Sequence, residues 1–242
     1  MNALAAAALL LAASLSPQPE GVPGPAPLDA VLAARARGGG FDYRGAGGQD
    51  RTRLAAYLSN LGDARPEQMS SDEKKALYIN AYNAMAIAIV LDRDPVKSIM
   101  EIDGAFRKIR RRIGGRELSL DEIEDRLREL SDPRIHFAIV CASESCPPLA
   151  QRAYEPRTIS AALDRQARAF VNDPSKNVVD RPRNRIALSK ILDWNRTEFE
   201  RDAGSLTKFV ARYVADGETA SWLASTRERP QFLEYDWALN QR

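Results

Sequence analysis

The chain has 242 residues, with 35 lysines and arginines against 33 acidic residues, 44% hydrophobic residues, one histidine and two cysteines. A net charge of +2 argues against a dedicated nucleic-acid binder, which carries a clear basic excess. No apolar run reaches the roughly 18 residues needed to span a bilayer, and any imidazole chemistry must pass through His136.

The first segment, residues 3–13, is an unbroken run of Ala and Leu followed by Ser14, Leu15 and Ser16. That pattern fits the apolar region of a secretory signal over residues 1–16 and implies an exported, periplasmic or secreted protein. Residues 17–27 hold five of the 14 prolines. With the glycines at 38–40 and 45–48 they predict a linker over 17–48 carrying one short helix at 28–37. The compact domain is then expected over 49–242.

Helical spacing of Leu54, Tyr57, Leu58 and Leu61 predicts a helix over 50–61. Ser70 stands three residues before Glu73, a capping box that opens a long helix to about Leu91. The second half of that helix is apolar on every side and is expected at the centre of the core. A short helix is predicted at 96–102. The Gly114-Gly115 pair between Ile113 and Arg116 predicts a β-hairpin. Ser119 and Glu122 form a second capping box, and residues 134–141 read as an interior strand. A helix over 158–171, a hairpin pairing 177–179 with 185–188, and helices at 189–194, 205–214 and 219–225 complete the pattern. The fold class is α+β: a predominantly helical single domain with a small central, mostly antiparallel sheet.

The chemistry-bearing stretch is His136-Phe-Ala-Ile-Val-Cys141-Ala-Ser-Glu-Ser145-Cys146-Pro-Pro. Proline is favoured at the first turn of a helix, so Cys146 is expected to cap a short helix through Ala150 or Gln151. Free N–H groups there would lower the thiol pKa and bind an oxyanion. Cys146 is accordingly the candidate nucleophile and His136 the candidate base. In the long helix, Asn80 and Asn83 share one face, as do Tyr78 and Tyr82. Either amide can pin a neighbouring loop or orient the imidazole, as in Cys–His–Asn sites. Cys141, Ser145 and Tyr82 are the candidates for binding. The same two cysteines also suit a loop disulfide in an oxidising compartment, with His136 a packed core residue. His-x4-Cys-x4-Cys is not a metal-site spacing, so no metal and no cofactor is expected. The basic run from Arg107 to Arg112 reads as a solvated face, since no aromatic residues interleave with it.

Four segments resemble the DUF547 domain family. They are Tyr78-Ile-Asn80-Ala-Tyr82-Asn83, Leu118-Ser-Leu-Asp-Glu122-Ile-Glu124, the His136–Leu149 stretch, and Tyr235-Asp-Trp237-Ala-Leu-Asn240. The resemblance runs from Ser71 to Asn240. Tyr78 stands where a Trp is usual in that family, and Asp125 where His often follows the Ile-Glu pair. The resemblance implies a bacterial envelope or secreted setting and supplies no reaction. The plainer reading is therefore a monomeric, non-catalytic envelope module that binds an envelope component or a peptide-like ligand, with no integral membrane segment beyond the signal. The sharper one is a thiol hydrolase or transamidase acting on amide bonds through Cys146 and His136.

Overall fold

A computed structural model describes residues 24–242. Its organising element is the helix α3, Ser71–Leu91, buried almost continuously from Lys75 onward. The capping box opens it as the sequence predicts: Glu73 N–H donates to Ser70 Oγ at 3.3 Å and Ser70 N–H to Glu73 Oε2 at 2.7 Å. An all-round apolar helix needs partners on every side. α3 finds them in α2 (Gly48–Asn60), α4 (Leu120–Arg128) and α5 (Ile159–Val171), and α1 (Ala26–Arg35) packs on α2 and adds its apolar residues to the same core cluster.

The packed body begins earlier than the linker prediction placed it. Leu28, Val31 and Leu32 of α1, then Phe41 and Tyr43, are all buried. Gly38 and Gly39 turn the chain at φ +52° and +78° between the two-residue strands β1 (Ala36–Arg37) and β2 (Gly40–Phe41). The glycines build a tight hairpin rather than interrupt the fold. The signal-like segment, residues 1–16, lies outside the described residues.

Helices dominate, as expected for this α+β chain, but the described residues form no single central sheet. Three small sheets lie apart. β1 pairs with β2, and β3 (Arg111–Ile113) pairs with β4 (Arg116–Leu118) around Gly114 and Gly115, both at positive φ. The third sheet joins β5 (Val178–Asp180) antiparallel to β6 (Arg185–Leu188), and β6 parallel to β7 (Gln231–Phe232). A second core cluster gathers there, built on Phe137, Phe170, Phe199 and Phe209. It is closed by α6 (Lys190–Trp194), α7 (Arg196–Ala203), α8 (Leu206–Ala211) and α9 (Gly217–Ser225). The helix expected at 96–102 is a single 3-10 turn, Ile99–Glu101. The basic run is paired by Asp103, Asp121, Glu122 and Asp92, as a solvated face should be. No helix of the described residues is long and apolar enough to cross a membrane.

The predicted strand over 134–141 does not form. Asp132 accepts from the Arg134 N–H and Pro133 takes the first helical position, so the chain makes a 3-10 helix, Pro133–Phe137, and then runs irregularly. Local capping overrides β-branched composition here. The segment follows the seam between the two clusters. Ile135, Ile139 and Val140 pack into the first, and Phe137 into the second.

Candidate functional site

Asn83 holds this irregular segment in place. Its Nδ2 donates to Ala138 O at 2.9 Å, and its Oδ1 accepts from Val140 N–H at 2.8 Å. Asn80 clamps Tyr154 the same way, with both bonds at 2.8 Å. Each buried amide thus satisfies backbone groups that would otherwise cost about 1–3 kcal/mol apiece. Neither asparagine orients the imidazole, which corrects the catalytic role considered for them.

Past Val140 the chain bends at Ala142, whose φ of +66° is uncommon for a residue with a Cβ. The C-terminal segment straps this bend down. Glu144 N–H donates to Ala238 O at 2.7 Å, Ser145 N–H to Asp236 O at 3.1 Å, and Asn240 N–H to Ala142 O at 3.0 Å. The Ser145 hydroxyl accepts from Asp236 N–H at 2.9 Å and so helps to fasten the bend. Arg242 forks onto the Glu144 carboxylate at 2.8 and 2.9 Å.

The bend brings four groups together. Cys141 and Cys146 are free thiols with sulfurs 2.8 Å apart. Ser143 Oγ lies 3.1 Å from Cys141 Sγ and 3.2 Å from Cys146 Sγ, and the Tyr235 hydroxyl lies 3.4 Å from both sulfurs and 2.8 Å from Ser143 Oγ. Cys141 N–H points at Cys146 Sγ at 3.0 Å. Burial works against charge at Cys146, yet hydrogen bonds from the Cys141, Ser143 and Tyr235 side chains outweigh it and bring its thiol down to about 6. The Cys141 thiol is pushed up by its hydrogen bond to Cys146 and by burial. Tyr235 is pushed up by burial and by the adjacent sulfurs, so its hydroxyl stays protonated and able to donate. Of the pair, Cys146 is the thiol held down, because the fixed backbone donor is aimed at it.

No helix follows Cys146, and the expected oxyanion pocket after it cannot exist. Pro147 and Pro148 have no N–H to offer. Cys146 N–H is spent on Ser143 O at 3.1 Å, and Leu149 N–H on Gly39 O at 2.9 Å. The Tyr235 hydroxyl, beside both sulfurs, belongs to a residue that faces the open side of the bend.

His136 is almost fully buried. Its Nε2 lies 3.0 Å from Glu198 Oε2, and its Nδ1 lies 3.7 Å from Glu124 Oε1. Burial favours protonating Glu198, but the His136 hydrogen bond and the charges of His136 and Arg128 hold it below the ordinary carboxylate range. A charged carboxylate only accepts, so Nε2 carries the proton of that bond. Arg128 completes the group, reaching Glu124 at 2.5 Å, Glu198 at 3.3 Å and Asn195 Oδ1 at 2.7 Å.

Cys141, Cys146, Tyr235 and the His136 imidazole line one cavity of about 550 Å³, with Ser143 buried behind the sulfurs, a size that suits a small ligand. Tyr82, Glu124 and Asn195 share its wall. Among the described residues the two exposed large hydrophobics, Met100 at 56% and Trp194 at 52%, both line it as well. Trp194, Tyr235 and Trp237 stack into an aromatic wall with ring centroids 4.5 to 6.0 Å apart. Cys146, Cys141, His136 and Tyr82, all candidates by sequence, therefore meet at one cavity. Asn80, Asn83 and Ser145 serve the scaffold. Ser143, Tyr235, Trp237 and Glu124 sat inside the recognised segments without an assigned role. Glu198, which positions the imidazole, carried no sequence signal. Asp125 is exposed and does not line the cavity, so its departure from the family pattern leaves the site's walls unchanged.

Residues 66–171 match the family model described as "Protein of unknown function, DUF547", and the chain carries a DUF547 domain over those residues. No curated protein and no solved structure matches the chain. The matched span holds both cysteines, Ser143, His136 and Glu124. The aromatic wall and Glu198 come from residues C-terminal to it.

Proposed function

We propose that this DUF547 protein is a thiol-dependent hydrolase or transferase acting on a carbonyl substrate, an amide in the simplest case, with Cys146 as nucleophile. One observation carries the reading: a thiol held by the Cys141 N–H and the Ser143 and Tyr235 hydroxyls shares a cavity with the only imidazole in the chain. A thiolate at neutral pH needs no base to remove its proton. The work left for His136 is to protonate the leaving group and then to activate water, with Glu198 holding the ring and stabilising its cationic form. Tyr235 is the donor for the oxyanion that develops on the carbonyl oxygen, with Ser143 hydrogen-bonded behind it. The apolar part of the substrate lies on the Trp194–Trp237 wall. Tyr235 joins the two regions, since its hydroxyl touches the sulfurs while its ring touches both tryptophans.

The non-catalytic reading keeps the same cavity as a binding site and leaves the thiol cluster without a task. The two separate on labelling with a thiol electrophile at pH 6. Cys146→Ala is expected to abolish labelling, and Cys141→Ala to retain it at a slower rate, since it removes one of the hydrogen bonds that lower the Cys146 thiol. Equal labelling of the two variants would sink the assignment of Cys146. We assign the protein to an exported setting on the signal-like first residues. Fractionation of cells expressing the full chain tests this, and retention of the unprocessed chain in the cytosol would reject it.

A further inference from the structure

We propose that Cys141 is the resolving partner of Cys146 in a second reaction at this site, the two-electron reduction of a small hydroperoxide to an alcohol and water. The inference rests on the reading of Cys146 as a reactive thiol, and adds to it a substrate class and a role for the second sulfur. Geometry is its basis. The sulfurs are 2.8 Å apart across the Ala142 bend, so they need to close by less than about 1 Å to reach disulfide bonding distance. Both side chains line the cavity, so a small oxidant that enters it reaches them. Two hydroxyls, Ser143 and Tyr235, each contact both sulfurs and can donate to an oxygen leaving from either. The strap formed by residues 236–240 holds the bend from the other side, keeping the four groups in register.

The steps balance. The Cys146 thiolate attacks the terminal oxygen of the hydroperoxide. The O–O bond breaks, an S–O bond forms, the sulfur is oxidised by two electrons to a sulfenic acid, and the alkoxide leaves and takes a proton from water. The Cys141 thiol then attacks the Cys146 sulfur. The S–S bond forms as the S–O bond breaks, and the hydroxide leaves as water with the Cys141 proton. A dithiol reductant restores both thiols by exchange. The same bridge masks the nucleophile, so oxidant would halt carbonyl chemistry reversibly instead of destroying Cys146.

The test uses the full, reduced chain with stoichiometric hydrogen peroxide at pH 8, where the Cys146 thiolate is formed in every variant. Dimedone is present to trap sulfenic acid, and products are read by intact mass and peptide mapping. Wild type is expected to lose two hydrogens and to yield a linked Cys141–Cys146 peptide, exceeding the dimedone adduct by about tenfold or more because the second thiol is held in place. Dithiothreitol should restore alkylation of both cysteines. Cys141→Ser is expected to reverse the ratio, giving the dimedone adduct and species with two oxygens on Cys146. Wild type that gains oxygens on Cys146 while Cys141 stays alkylatable would overturn the resolving role and leave the nucleophile assignment standing. A Cys146 that neither oxidises nor alkylates faster than an ordinary thiol would overturn both. The wild-type measurement alone decides between these outcomes should the variant fail to fold.

Discussion

Replacing Tyr235 by phenylalanine removes one hydroxyl and keeps the ring. The stack on Trp194 and Trp237 at 4.8 and 4.5 Å survives, while the contacts to Cys146 Sγ at 3.4 Å and Ser143 Oγ at 2.8 Å are lost. A hydrogen bond to a charged acceptor contributes about 1.5–3 kcal/mol, and a long contact to sulfur belongs at the low end. That is roughly one pKa unit, lifting Cys146 from about 6 toward neutrality. The sign follows directly: less stabilisation of the thiolate means fewer thiolates at acid pH, and a more basic, more nucleophilic sulfur where both forms are fully ionised. At pH 5 the thiolate fraction falls about ninefold while intrinsic nucleophilicity rises about threefold, leaving alkylation about threefold slower. At pH 9 the variant should alkylate about threefold faster. Iodoacetamide kinetics across that range, followed on the peptide carrying Cys146, give both numbers. An unmoved midpoint, or a rate change of the same sign at both ends, would refute the hydrogen-bond account of the low thiol pKa.

Other substitutions address the scaffold and the cavity separately. Asn83→Ala strands Ala138 O and Val140 N–H in the core and should cost about 2–4 kcal/mol; an unchanged Tm by calorimetry would contradict its clamping role. Glu198→Gln removes the anion beside His136, and turnover of a carbonyl substrate should fall about tenfold or more. The alkylation midpoint of Cys146 should stay where it is, and a moved midpoint would mean that Glu198 acts through the thiol rather than the imidazole. Trp194→Ala removes its stacks on Tyr235 and Trp237 and should cost about 1–3 kcal/mol of stability. KM for substrates with an apolar acyl group should rise about tenfold, and acetyl substrates should be little affected. Equal effects on both substrate classes would remove the aromatic wall from substrate binding.

The helices were legible because their signals are local. Ser70/Glu73 and Ser119/Glu122 mark helix starts within four residues, and the apolar stretch from Ala84 to Leu91 declares a buried helix wherever it packs. The segment 134–141 departs from the strand expectation for an equally local reason. Its β-branched composition suggests a strand, but an Asp-Pro start and the long-range clamp from Asn83 decide its path, and that clamp closes only in the folded chain. Residues 26–48 looked like a linker because their glycines and short apolar runs are weak evidence without a partner. Their partners, Asn240 for Tyr43 and Gln241 for Phe41, lie at the far end of the sequence. The candidate site divides the same way. Cys141, Cys146 and His136 stand within eleven residues of one another and were visible together. The groups that tune them, Tyr235 and Glu198, arrive from 62 or more residues away. The oxyanion assignment failed on covalent grounds that the sequence did contain, since two prolines follow Cys146.

The most direct test of the central claim is a pre-steady-state burst with a p-nitrophenyl ester, coupled to mass mapping of the quenched protein. An activated thiol in a binding cavity should release nitrophenol stoichiometric with the chain and leave the acyl group on Cys146. His136→Ala should slow the loss of that acyl group more than its formation, and Cys146→Ser should abolish the burst. A burst that survives in Cys146→Ser, or an acyl group mapped to any other residue, would contradict the account.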